Sequence, residues 1–360
     1  MTRRFPPSVG GMETLAADVW TALDRRCPGA RLLAHGGTNR GLPWFLVTAW
    51  ARVATLVVRR RVDVVICYDA ATYVVLWPLL ALLRVPKIAL VNGLDLTWSR
   101  APYRRLLAHA LPRASRVLAI SRATAGVARD LGVPDAHVAV VRLSVDAPAV
   151  SATDREDARA ALLRQLALDP DAVVLLTIGR LVARKGVRWF VESVLPALSG
   201  TTVHYAIAGS GPEQAAIEAA VVAHGLTGRV HLLGPVSDAE RETLLRGVDL
   251  FVQPNVVTPG DMEGFGLVLV EAAKRGTPVV ASALEGMTDA VADGEAGVLC
   301  PPGDADAWRT TVQHLVDDPA ARNELARRGA TRACELFSVE TFGAQLEREL
   351  AEAVGAGPAR

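Results

Sequence analysis

Short, almost wholly apolar, β-branched runs alternate with longer stretches of helical periodicity along the entire chain. In the first half these runs fall at 31–35, 62–68, 87–92, 116–121 and 137–142. In the second half they fall at 172–179, 202–209, 229–234, 249–254, 277–282 and 296–301. A strand with one wet face alternates apolar and polar residues, whereas a strand covered on both faces has no need to. Such runs separated by helices predict an α/β chain built from parallel sheets with helices on both faces. At 360 residues the chain exceeds what one core normally holds, so two Rossmann-like, doubly wound domains are expected. The stretch from 146 to 171 is polar and Ala-rich, with no strand in its first part, which puts the junction near residue 150. The expected layout is a first domain over 1–150, a second over 151–338, and a closing helix and tail over 339–360 packed back on the first. A helix over 154–168 should open the second domain.

Composition removes several classes. Lys plus Arg number 39 against 38 for Asp plus Glu, a balance that argues against a general nucleic-acid binder. The four cysteines, Cys27, Cys67, Cys300 and Cys334, form no CxxC pair, so neither a zinc site nor a disulfide framework is indicated. Free thiols fit a reducing cytoplasm. The opening "MTRRFPPSVGG" has no apolar core of a signal peptide. The longest apolar run, 70–83, holds Pro78 and falls short of the roughly 20 residues that span a bilayer.

The opening is unusual in one respect. "RFPPSVGG" looks like a glycine loop entering the helix "METLAADVWTALDRR", and such a loop normally follows a strand that aims it at a ligand. Only Met1 to Arg4 precede it. Two expectations follow: a start upstream of Met1, which is preferred, or a first sheet without its usual central strand, which would leave backbone groups unpaired.

Three motifs carry the candidate chemistry. In "DMEGFGLVLVEAAKRGTPVV" (261–280), Gly264 and Gly266 allow a sharp turn and close ligand approach before a helix whose first N–H groups suit a phosphate. Glu263 precedes that corner, and Glu271 lies about five residues inside the helix, roughly 7–8 Å along its axis. One carboxylate can reach a sugar, and the other can accept from ribose hydroxyls. The plain alternative is a solvated Glu263 and a surface Glu271, and the pair alone does not decide between them. In "LTIGRLVARKG" (176–186), Arg180 follows a buried strand and Lys185 comes five residues later, so two cations stand where open α/β sheets bind ligands. Two exposed basic loop residues would look the same. "IAGSGPE" (207–213) supplies Gly209 and Gly211 in a further strand-to-helix turn, a weak signal by itself.

Taken in order, "PPSVGGMET", "AISRATAGVARDLGV", "IGRLVARKG", "AGSGPE", "LLGPVSD", "VDLFVQPN", "EGFGLVLVEAAKRGTPVVAS" and "DGEAGVLCPPGD" resemble the retaining glycosyltransferases of family 4, from about residue 5 to residue 345. The glutamate pair matches that family's E-x7-E pattern. The resemblance implies a GT-B fold, in which two Rossmann-like domains face each other across a cleft that holds a nucleotide-sugar donor. It implies that Arg180 and Lys185 bind the donor diphosphate and that Glu263 contacts the transferred sugar. The amides of Phe265, Gly266 and Leu267, with Gly264, would lie near sugar and phosphates, and Glu271 would bind the ribose. Gly10 and Gly11 would line the phosphates from the first domain, and Gly209, Gly211 and Val236 would complete the donor site. No metal and no separate cofactor are implied. Related sequences often carry a histidine where this chain has Asn92, so Asn92 enters as the residue facing the reacting sugar, able to hydrogen-bond but not to carry charge.

The acceptor stays unassigned, a lipid-linked molecule or a polysaccharide among the expectations. In "LPWFLVTAWARVATLVVRRRVDVV" (42–65), Leu46, Trp50, Val53 and Val57 recur at helical spacing, and Arg52 and Arg59 to Arg61 gather elsewhere. A helix packed on the first sheet is the leading reading, and a membrane-surface contact through 42–61 is the alternative. Rival functions are a same-fold sugar-nucleotide epimerase or hydrolase and a binding subunit that has lost catalysis. A NAD-dependent dehydrogenase is distant, because "PPSVGGM" is not GxGxxG.

Overall fold

The structure is a computed structural model and describes residues 1–7, 11–37, 40–98, 100–147, 150–198 and 202–355. The chain divides into two compact units. The first comprises Met1–Asp146, Gly260–Phe265 and Leu336–Arg360, and the second comprises Ala147–Pro259 and Gly266–Glu335.

In the first unit the elements run α1 (Gly11–Arg26), α2 (Leu42–Val58), β1 (Val65–Cys67), α3 (Ala70–Leu83), β2 (Lys87–Val91), α4 (Leu94–Thr97), α5 (Ala101–Ala110), β3 (Arg116–Ala119), α6 (Arg122–Asp130) and β4 (Val138–Val140). The four strands are parallel in the order β1-β2-β3-β4. β2 is buried along its whole length, so covering on both faces explains why its sequence does not alternate. The run at 31–35 forms no named strand. It pairs with the chain start through a single bridge, Thr2 to Ala34. Thr2 N–H donates to Leu33 O at 3.0 Å and His35 N–H donates to Thr2 O at 3.1 Å. On the other side, Tyr68 N–H donates to Met1 O at 2.9 Å and the Met1 amine to Ile66 O at 2.6 Å. Met1 and Thr2 therefore pair on both sides, between the 31–35 run and β1.

In the second unit the elements run α7 (Ala152–Leu166), β5 (Val173–Ile178), α8 (Val187–Ser193), β6 (Val203–Ala208), α9 (Gln214–Ala223), β7 (Val230–Gly234), α10 (Asp238–Gly247), β8 (Leu250–Gln253), α11 (Leu267–Lys274), β9 (Val279–Ser282), α12 (Met287–Ala290), β10 (Val298–Cys300), α13 (Ala305–Asp317) and α14 (Pro319–Leu336). The sheet is parallel in the order β10-β9-β8-β5-β6-β7, so the winding reverses between β5 and β8. Capping boxes start α7 (Ser151 with Asp154) and α10 (Ser237 with Glu240). Its core joins Leu175, Phe190, Tyr205, Val252 and Trp308.

The last helix, α15 (Val339–Gly355), belongs to the first unit. The Arg26 side chain of α1 lies over Gly343, where a Cβ would stand 2.6 Å from its Nε. Arg26 bonds Glu347 at 3.0 Å, and Arg116 pairs with Glu349.

Candidate active site

In open α/β sheets ligands gather beyond the strand C-termini, where the winding reverses. In the second unit that point follows β5 and β8. Gly179, at φ +153°, ends β5, and Arg180 follows it, exposed. The turn after β6 folds against this corner. A Cβ on Gly209 (φ +133°) would lie 1.9 Å from Gly179 O, and one on Gly211 2.2 Å from Leu181 O. Leu181 N–H donates to Ser210 O at 2.9 Å. Only glycine permits this approach, which brings Arg180, Gly209 and Gly211 together as expected from sequence.

Lys185 is 8% exposed, in contrast to the loop lysine that the plain reading supposed. Its Cε packs 3.8 Å from where a Gly179 Cβ would stand. The adjoining Gly186, at φ +64°, fits against β8's end, since a Cβ there would meet Pro254 O at 1.8 Å. Val256 N–H donates to Arg184 O at 2.9 Å, closing the contact. A buried cation and an exposed one thus flank the reversal point. Val236 is half-buried, one residue before the Ser237 cap of α10.

α11 begins after Gly266, which takes φ +91° at the helix N-cap, and Leu267 is its first residue. Glu271 is not a free surface carboxylate. Arg241 of α10 pairs with it, and their side chains are 28% and 15% exposed. A second pair ties the same helices, Arg275 Nε to Glu242 Oε2 at 2.9 Å. Burial first, then the neighbouring Arg275, lowers the Arg241 pKa from its ordinary value. Hydrogen bonding to Arg275 lowers that of Glu242.

The other residues singled out from the sequence lie in the first unit. The segment 262–264 packs on the end of β2. A Cβ on Gly264 would lie 2.1 Å from Asn92 O, and one on Gly93 3.1 Å from Gly264 Cα. Glu263 is half-buried beside this contact, and Phe265 stacks edge-on against Phe337 at 5.7 Å. Asn92 is buried. Its N–H donates to Asp95 Oδ1 at 2.9 Å and its carboxamide nitrogen to Tyr68 O at 3.1 Å, while its Oδ1 has no hydrogen-bond partner among the described residues. Gly11 is the exposed first residue of α1, and Gly10 lies outside the described residues. The first turn of α1 also holds Glu13, buried and 3.3 Å from Arg4.

Sequence reasoning missed part of this cluster. Asp69 caps α3 through Thr72 N–H at 2.8 Å and takes Arg3 Nε at 3.0 Å. Asp95 accepts from Ala70 N–H at 2.8 Å, and burial above all pushes its pKa up to about 6. Both aspartates follow strand ends, "CYDA" and "VNGLD", which was the available signal. Arg241 gave none. A cavity of about 290 Å³ in the same unit, lined by Ala16, Val19, Val53 and Leu350 among others, is mostly apolar and runs beside β1 to Tyr68. No group of three or more metal-ligating side chains occurs among the described residues.

Residues 172–318 match the model "Glycosyl transferases group 1", and residues 9–147 match "Glycosyltransferase Family 4". Alpha-D-kanosaminyltransferase of Streptomyces kanamyceticus is 30% identical over 54% of this chain and 49% of its own length. The 2-deoxystreptamine glucosyltransferase of the same organism is 31% identical over 64% of this chain and 58% of its own. The chain thus matches about half the length of these curated relatives. HepE of Anabaena, solved in complex with UDP, superposes with a TM-score of 0.77 over 97% of this chain and 98% of that one, at 19% identity. Two parallel doubly wound sheets, the matched models and this likeness establish the GT-B fold, and the chain belongs to glycosyltransferase family 4.

Proposed function

We propose that the chain transfers a hexose-type sugar, with retention of configuration, from a nucleoside diphosphate donor to a hydroxyl acceptor. The observation that carries this reading is the convergence of Arg180, buried Lys185 and the Gly209–Gly211 turn at the reversal point of the second sheet. As the glycosidic bond breaks, negative charge develops on the departing diphosphate. Fixed cations and the N–H groups opening α11 stabilise that charge without reorganising, and no metal is invoked. Glu271 then accepts from the ribose, with one carboxylate oxygen held by Arg241. Glu263 contacts the sugar, and the unpartnered Asn92 Oδ1 accepts from a substrate hydroxyl. HepE structures carry UDP and UDP-glucose, which makes a UDP-hexose the first donor to test.

Nucleotide release from a panel of UDP-, GDP- and ADP-sugars, with and without an acceptor extract, tests the reading. Release that requires acceptor supports transfer. Release without acceptor points to a hydrolase or epimerase, and binding without release to an impaired subunit. Lys185→Ala should lower turnover about a hundred- to thousandfold, the usual loss for one charge-stabilising group, with folding retained. Near-normal transfer by that variant rejects the assignment.

A further inference from the structure

Charge is very unevenly distributed along this chain. Between Arg40 and Arg129 it carries fourteen Lys or Arg residues against three aspartates, although the whole chain stands at only +1. Two of those aspartates, Asp69 and Asp95, are buried. The same stretch contains two helices with almost no charge of their own.

α2 has one charged residue, Arg52, among seventeen. Its inner face is apolar for the ordinary reason: Ala49 and Val53 are buried, Leu46 is half-buried, and Trp50 and Val57 are half-buried against the first unit's core. Its outer face is apolar as well. Trp44 is 74% exposed, Val47 62% and Val58 71%, with exposed Ala51 and Thr55 between them at spacings of three and four. α3 has no charged residue, and Val75, Pro78 and Leu82 form its outward stripe, Leu82 being 79% exposed. Trp50 Nε1–H donates to Val75 O at 3.2 Å, fixing the two helices side by side. Arg59, Arg60 and Arg61 follow the end of α2, and Arg84 follows the end of α3, all exposed.

A helix packed on a sheet needs only one apolar face. A second, solvent-facing stripe that contains Trp and is edged by arginines has the composition of a helix lying in a membrane interface. A soluble polyanion would engage the arginines but leave Trp44, Val47 and Leu82 without a role. An apolar protein partner would not call for the cationic surplus. We propose that α2 and α3 form a docking face for an anionic phospholipid bilayer. Trp44, Val47, Val58 and Leu82 enter the headgroup boundary, and Arg52, Arg59 to Arg61 and Arg84 lie against lipid phosphates. This interaction is independent of the donor assignment. It gives the chain access to acceptors held at a membrane surface, although no helix among the described residues is long and apolar enough to cross one.

The test is flotation of the full chain with vesicles of phosphatidylcholine alone or mixed with phosphatidylglycerol, at low and high salt. Binding is expected on the anionic vesicles only and should weaken with salt. An arginine near an anionic surface contributes roughly fivefold to partition, so combined Arg59→Gln, Arg60→Gln and Arg61→Gln should lose about a hundredfold. Trp44→Ser with Val47→Ser should also weaken binding but keep the salt slope, since it removes no charge. Melting curves check folding, and if the multiple variants unfold, Trp44→Phe alone should remove fluorescence quenching by brominated lipid. Failure of the native chain to bind anionic vesicles at low salt overturns the proposal. So does binding unaffected by these substitutions, or retention on heparin with no vesicle binding, which would assign the charge to a soluble polyanion.

Discussion

Gly264→Ala isolates the contact between the glutamate-bearing loop and the end of β2. The added Cβ would stand 2.1 Å from Asn92 O, where real Cβ contacts do not fall below 3.0 Å. Something must open by nearly 1 Å. Asn92 cannot supply the movement, because its N–H is bound to Asp95, its carboxamide to Tyr68 O, and β2 is buried throughout. The loop 260–265 must yield instead, and Phe265 is held against Phe337, so the displacement concentrates at Glu263 and Gly264. Misplacing a reacting group by about 1 Å can cost on the order of a hundredfold in rate. Overpacking costs typically about 1–3 kcal/mol, and a loop that can shift should sit at the low end. The melting temperature should then fall by about 2–4 °C. UDP affinity, measured by calorimetry, should stay within about threefold, because Arg180, Lys185 and Glu271 share no contact with the altered atom. Turnover within about twofold of the native chain would refute the claim that this contact sets the position of Glu263. A collapse of UDP affinity would refute the division of roles between the residues.

Two further outcomes can be checked independently. Arg241→Leu leaves the half-buried Glu271 carboxylate without its cation, so UDP should bind about tenfold more weakly, the equivalent of one charge-assisted hydrogen bond, with Arg241→Lys recovering part. Tighter binding in calorimetry would mean that Arg241 competes with the ribose instead of holding Glu271. The second outcome concerns His204 Nδ1 and His231 Nε2, which lie 3.2 Å apart on β6 and β7. Burial foremost, then Arg229, lowers the His204 pKa against an opposing pull from Asp169, and burial with His204 lowers that of His231. Depressed folded-state values favour the neutral rings, so their stabilisation is present above the ordinary histidine pKa of about 6.5 and is lost as pH falls below it. Melting temperature should drop between about pH 7.5 and 5.5, and His231→Gln should flatten that drop. Equal slopes for both chains would dismiss the pair as the cause.

Legibility followed the range of the interaction involved. β2, β5, β6 and β8 were readable because a buried parallel strand writes its environment into consecutive residues. The 31–35 run looked the same but acquires only one bridge, because its partner is the two-residue segment Met1–Thr2. Arg180, Gly209 and Gly211 were placed by strand ends and glycines, which are local signals. The burial of Lys185 was not readable, since its two neighbours, Arg184 and Gly186, are fixed by Val256 and Pro254 some seventy positions away. Nor was the Arg241–Glu271 pair, which depends on the relative register of two helices. In α2, Leu46, Trp50, Val53 and Val57 did mark the core face. The periodicity that revealed them concealed the outward stripe, because both faces are apolar.

Electrostatics separates the two polar clusters at strand C-termini. The first unit gathers Asp69, Asp95 and Glu13, with Arg3 and Arg4 already engaged to Asp69 and Glu13. Burial first, with Asp69 nearby, pushes the Asp95 pKa up to about 6, so that corner tolerates further negative charge poorly. A diphosphate bearing two or more negative charges would meet the same penalty there. The second unit presents the opposite balance, with Arg180 exposed, Lys185 buried and a glycine-started helix opening N–H groups nearby. The second cluster is therefore the better electrostatic match for a diphosphate. The neutral acceptor atom at Asn92 Oδ1, with its carboxamide nitrogen already engaged, suits uncharged hydroxyls in the first. A histidine in place of Asn92 could take a proton and offset the aspartates, whereas asparagine cannot. Asn92→His should consequently make turnover more strongly pH-dependent than the native chain's, and an unchanged profile in the variant would show that this position does not sense the reacting sugar.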